Sequence, residues 1–213
     1  EYITSTTTGH IVNRKTVEGD VETGSMRETW NNVTVAIGQA EAKPMSFMDG
    51  FAYDPTDKEA LQKPETFKGF PAMAVEAKNL VWDTIMFESF AKSGKGLAPA
   101  ESKFYKSGDV KLAGAGTFTN NAIQLTGLGT AKLSGHDCRV MKYDAFFNKV
   151  EVKTPGMHLD GRSHYWGEIW VDATGGEIVL GTLYEDVLGD LTLGDAKTST
   201  TINVLREGKI TLQ

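Results

Sequence analysis

The chain has 213 residues, of which 40% are apolar and 23% charged, with a formal net charge of −6. This is the make-up of a folded globular protein with enough core for independent stability, and it excludes a disordered chain. The negative balance and the lack of a Lys/Arg cluster argue against nucleic acid as a partner, and no run approaches the ~18 apolar residues of an integral membrane span.

The first segment opens "EYITSTTTGHIVNRKTV" and reads as Thr-rich strand through residue 42, punctuated at Gly9, Gly19-Asp20 and Gly24. No initiator Met precedes it, which favours a processed, exported protein, periplasmic or secreted. Residues 43–71, "KPMSFMDGFAYDPTDKEALQKPETFKGFP", hold four of the six prolines. Two readings are open for this stretch. It is a long functional loop or lid, or a surface excursion docked by Phe47, Phe51, Tyr53, Phe67 and Phe70.

Residues 72–92, "AMAVEAKNLVWDTIMFESFAK", are predicted helix, with Pro71 ahead of the first turn and Gly94 and Gly96 past the end. Ala77, Leu80, Val81 and Thr84 share one side, and Trp82, Ile85, Met86 and Phe90 form an adjoining stripe. The helix is therefore expected to bury a broad face.

From about residue 103 the pattern is strand throughout. "DVKLAGAGTFTNNAIQLTG" reads as a hairpin about Asn120-Asn121, and "TSTTINVLREGKITLQ" as one about Glu207-Gly208. Roughly nine to eleven strands with short connections imply antiparallel neighbours. The expected fold is mainly β in one domain, residues 1–213: a curved antiparallel sheet or half-open barrel with one main helix covering a face.

"GRSHYWGEIWVDATGGEIVLGTLYED", residues 161–186, reads as two strands joined by Ala173-Thr174-Gly175-Gly176, with Asp172 facing Glu177. Side chains alternate between faces. One face carries Tyr165, Ile169 and Val171, an ordinary core set. The other carries His164, Trp166, Glu168 and Trp170 and is aromatic but polar-interrupted. Counting back from the turn pairs His164 with Glu185 and Trp166 with Leu183.

Such a sheet is either packed on both sides or curved around a cavity. In the second case a groove between the helix (Trp82, Met86, Phe90) and the mixed face (Trp166, Trp170, Glu168, His164) would hold a hydrophobic or amphiphilic small molecule. No cofactor is implied, and a monomer suffices. Two alternatives stand beside it. One is a hydrolase or carbohydrate-active enzyme using Glu168 with His164 or a second acid such as Glu185 or Asp186. The other is a structural or interaction domain without a ligand.

Cys138 is the single cysteine, so an intramolecular disulfide and a thiol-rich metal site are excluded. His136 and Cys138 share a strand face ~6.5 Å apart at Cα, but a metal there would need a third ligand from elsewhere. A Cys-His nucleophile pair has no activating context around Cys138, and the glycines at 113–116 and 127–129 lack the strand–loop–helix setting of a phosphate loop.

The order of strands, helical insertion and long meander, with "KLSGHDCRVMKYDA" and "YWGEIWVDATGGEIV", resembles the periplasmic lipoprotein-carrier family (LolA-like) over residues 100–195. The resemblance implies a half-open antiparallel barrel with helices across its concave side and a cavity for acyl chains. Lipocalins are a more distant likeness, because their early Gly-x-Trp signature is absent; Trp30 is followed by Asn31-Asn32.

Overall fold

The computed structural model describes residues 3–7, 9–20, 25–37, 43–54, 57, 59–71, 75–106, 108–194 and 199–211. Thirteen strands and one α-helix follow in the order β1 (Ile3–Thr7), β2 (Gly9–Asp20), β3 (Ser25–Ile37), β4 (Lys43–Pro44), β5 (Phe51–Tyr53), α1 (Val75–Ser93), β6 (Ser102–Tyr105), β7 (Gly108–Lys111), β8 (Gly116–Asn120), β9 (Ala122–Leu133), β10 (His136–Thr154), β11 (Met157–Asp172), β12 (Ile178–Leu193) and β13 (Thr200–Thr211). The chain is mainly β and divides into two compact units. One comprises Glu1–Thr6, Val81–Val110 and Gly116–Gln213; the other comprises Thr7–Leu80 and Lys111–Ala115.

In the second unit β2 and β3 form an antiparallel hairpin, and β4 and β5 pair with β3. The stretch 43–71 carries short strands and three 3-10 turns instead of an open loop. Its five rings pack on one another: Phe51 lies 4.8 Å from Phe70 and 5.4 Å from Phe67, and Phe47 lies 5.3 Å from Phe70. Trp30 and Met48 are fully buried in the same unit.

The first unit is an open, nine-stranded antiparallel sheet with the path β1–β13–β12–β11–β10. The far edge of β10 is shared. β9 pairs along 136–146 and β8 along 149–152, while β6 flanks β9 and β7 flanks β8. Asn120-Asn121 is therefore a break between two collinear strands, not a hairpin turn. β10 holds one extra residue at Phe146–Phe147, and beside that bulge Asn121 N–H donates to Asn148 Oδ1 (3.2 Å). The turn expected at Glu207-Gly208 is likewise absent: β13 runs straight through it, because β12 offers a continuous partner and Leu183 packs beneath Gly208.

The hairpin at 161–186 closes as its residues dictate. Asp172 N–H donates to Glu177 O, and Asp172 Oδ1 accepts from Thr174 N (2.8 Å) and Gly175 N (2.6 Å). Val171 pairs with Ile178 as counted from the turn, but a bulge then inserts Val179, so Trp170 faces Leu180 and Trp166 faces Tyr184. Every later residue of β12 changes face. Leu183 and Glu185 join the core side, and Tyr184 and Asp186 move to the other.

Helix α1 lies on the face carrying Tyr165, Ile169 and Val171. Phe87, Phe90 and Ala91 pack with Ile123, Leu125, Met141, Tyr143, Ala145 and Leu183, and Met86 packs against this core. Tyr143 sits at its centre, 5.0 Å from Phe90 and 6.2 Å from Phe87 between ring centroids. Phe87 belongs to neither expected stripe, yet it is one of the most buried helix residues.

Candidate functional site

The expected site splits in two. Phe90 and Met86 are on the helix side of the sheet, whereas His164, Trp166, Glu168 and Trp170 project from the opposite side of β11. The groove expected between these two sets is not formed. The reason is alternation: α1 packs on the odd-numbered residues of β11, and the mixed set is even-numbered. Trp82, three residues after Asn79 on α1, is half-buried.

On the opposite side the aromatic residues make a row across neighbouring strands. His164 stacks on Phe146 at 4.3 Å and is tilted against Trp166 at 4.6 Å, and Trp166 stacks on Tyr184 at 5.9 Å with 24° between planes. Phe146, Trp166, Tyr184 and Leu205 keep 36–44% of their surface exposed, and Phe147 keeps 73%. Solvent-facing rings of this size in one strip are uncommon on a protein without a partner or ligand. Phe147 adopts φ +54 at the β10 bulge, a left-handed backbone that bulky residues rarely hold. The bulge turns its ring outward next to the row.

Glu168 is exposed, and its Oε2 accepts from Trp170 Nε1 at 3.1 Å. His164 Nε2 is buried without a hydrogen-bond partner, as are Asp186 Oδ1 and Asn203 Oδ1. The expected His164–Glu185 pair is not formed, because the Val179 bulge sends Glu185 to the helix face and brings Asp186 opposite His164. Glu168 and Glu185 lie on opposite sides of the sheet, so they cannot flank one glycosidic bond.

Glu185 instead enters a polar network under α1 that the sequence reading missed. Arg206 Nη1 and Nη2 donate to the two oxygens of Asp83 at 2.6 and 3.1 Å. Its Nε donates to Glu185 Oε2 at 2.8 Å, and Ser163 Oγ donates to Glu185 Oε1 at 2.6 Å. Burial pushes the Asp83 carboxyl above the usual carboxylate range despite the guanidinium beside it, while the two carboxylates hold the Arg206 guanidinium even more firmly charged. One signal was present in the sequence: Arg206 occupies an inward position in the alternation Ile202, Val204, Arg206.

Cys138 is buried, and that burial pushes its thiol up, so it is no activated nucleophile. His136 Nδ1 lies 2.9 Å from Asp172 Oδ2, and no group of three or more His, Cys, Asp or Glu among the described residues could hold a metal. The sheet thus carries a ring row on one side and an ion-paired helix on the other.

No family model matches the chain, and neither the curated proteins nor the solved structures compared with it contain a match.

Proposed function

We propose that this protein binds a hydrophobic or amphiphilic small molecule, and that the site is the face of the sheet opposite α1. The observation that carries this reading is the exposed row Phe146–His164–Trp166–Tyr184, continued by Leu205 and Phe147. Strands spaced ~4.8 Å apart make it a strip ~15 Å long over β10 to β13, suited to an extended apolar chain. Phe146 stacks on His164 and Trp166 on Tyr184, and the two pairs are tilted against each other, so ring edges and the gaps between them are offered to a guest more than free ring faces. That geometry favours an alkyl chain over the flat face of a sugar ring. The resemblance to the lipoprotein-carrier family points to the same ligand class on different grounds.

The test is titration with a dansyl-labelled fatty acid, read by energy transfer from tryptophan. Trp166→Ala and Tyr184→Ala are expected to weaken uptake while the fold is retained, whereas Trp82→Ala leaves it unchanged. Uptake lost in Trp82→Ala and kept in the other two would move the site beneath the helix and overturn this reading.

A further inference from the structure

The ring row ends at a groove of about 450 Å³ on the same side of the sheet, bordered by Phe147, Lys149, Arg162, Leu188, Asp160 and Asp190. Lys149 and Arg162 are direct cross-strand partners. Like charges facing each other across a strand pair repel, and such pairs are normally relieved by an acid nearby. Neither of these two makes a direct hydrogen bond or ion pair among the described residues; the nearby carboxylates are Glu151, which interacts with Lys149 at longer range, and Asp160 and Asp190 in the groove. Asp190 is engaged, since its Oδ1 accepts from Thr201 Oγ1 at 2.8 Å. Two further facts mark the same place. Phe147, the wall of the groove next to Lys149, holds a strained backbone with its ring in solvent. His164 Nε2, Asp186 Oδ1 and Asn203 Oδ1, all buried and unsatisfied, belong to the strand positions bordering Arg162 and Leu188. The closely spaced cations and the strained, solvent-facing Phe147 mark this groove as a binding position adjoining the ring row.

We propose that this groove takes the carboxylate head of an anionic amphiphile whose apolar chain lies along the ring row. The proposal rests on the reading of that row as the binding face. Arg162 supplies a two-pronged donor and Lys149 a point charge, the combination that carboxylates favour. Phe147 and Leu188 wall the first methylenes. The carboxylates of Asp160 and Asp190 across the groove disfavour a doubly charged phosphate head, so one negative charge is the better match.

The test compares the dansyl-labelled fatty acid with its methyl ester on the full chain, with Arg162→Gln and Lys149→Gln as variants. Circular dichroism confirms that each variant is folded. The acid is expected to bind at least ~10-fold more tightly than the ester, and each variant to reduce that preference. Added salt should weaken the acid and leave the ester unaffected. Equal binding of acid and ester overturns the carboxylate groove but leaves the ring row standing. Failure of both probes to bind overturns the two readings together. A phosphocholine amphiphile binding as tightly as the acid would assign the groove to a zwitterion and overturn the proposal as stated.

Discussion

Arg206 and Asp83 are 123 positions apart in the chain and meet in a two-point ion pair between the last strand and the only α-helix of the described residues, at 2.6 and 3.1 Å. Glu185 shares the same guanidinium. Arg206→Met would leave two inward carboxylates without their cation. Removing one partner of a fully buried pair costs ~3–5 kcal/mol. Here the Arg206 side chain keeps 27% exposure, so a loss of about 2–3 kcal/mol is expected in urea unfolding. The triple variant Arg206→Met, Asp83→Asn, Glu185→Gln should recover part of that loss; a triple variant weaker than the single one would show that packing, not charge, sets the cost.

Asp83 also sets a pH dependence. Its folded carboxyl titrates above the unfolded value because of burial, so the folded protein holds the extra proton. Stability therefore falls as pH rises from the unfolded value, ~4, through the folded one, and levels off beyond. In Asp83→Asn this component of the slope between acid and neutral pH is removed. Unfolding free energies measured from pH 4 upward check this, and identical slopes in both proteins would refute it.

Tyr143 and Tyr165 provide the alkaline limit. Burial is the main cause raising both phenols above the ordinary tyrosine value, and both hydroxyls are engaged, with Thr182 O at 2.7 Å and Asn120 Oδ1 at 2.6 Å. A raised folded value means stability is whole below the unfolded value, ~10, and is lost as pH climbs past it. Spectrophotometric titration should show two phenols ionising only with loss of the folded far-UV signal. Smooth ionisation of all six tyrosines in a still-folded protein would contradict this.

Gly167 faces the helix side between Tyr143 and Thr182, and a Cβ there would sit 2.0 Å from the Thr182 carbonyl oxygen. That oxygen already accepts the Tyr143 hydroxyl, so it cannot move without breaking the bond. Gly167→Ala is expected to destabilise by about 2–3 kcal/mol, at the upper end of overpacking changes. A shift within ±0.5 kcal/mol, the size of ordinary surface changes, would show that the two strands part freely.

Phe147→Asn is expected to do the reverse. Asn tolerates the left-handed region, and the exposed ring contributes little burial, so relief of strain should raise stability by up to ~1 kcal/mol. The same change should weaken fatty-acid uptake. A destabilised variant with unchanged uptake would make Phe147 a structural residue.

Local regularities were legible from the residues alone. The alternation along β11 separates Tyr165, Ile169 and Val171 from His164, Trp166, Glu168 and Trp170, and the structure keeps that division. The open antiparallel sheet with one helix follows from period-two strands around one broad apolar helical stretch, and the Asp172–Glu177 closure follows from Asp172 and the two glycines after it. These features depend on backbone geometry within a few residues. What depended on distant partners was decided only in the folded chain. A single extra residue at Val179 moved Glu185 away from His164 and into contact with Arg206. Likewise Asn121 and Gly208 carry turn-forming chemistry, yet Gly208 sits inside the ladder with β12, and Asn121 lies between two strands that both pair with β10, its N–H held by the Asn148 side chain. The face α1 covers followed from the fit of Phe87 and Phe90 around Tyr143, because alternation defines two faces of a strand but not which one a helix will bury.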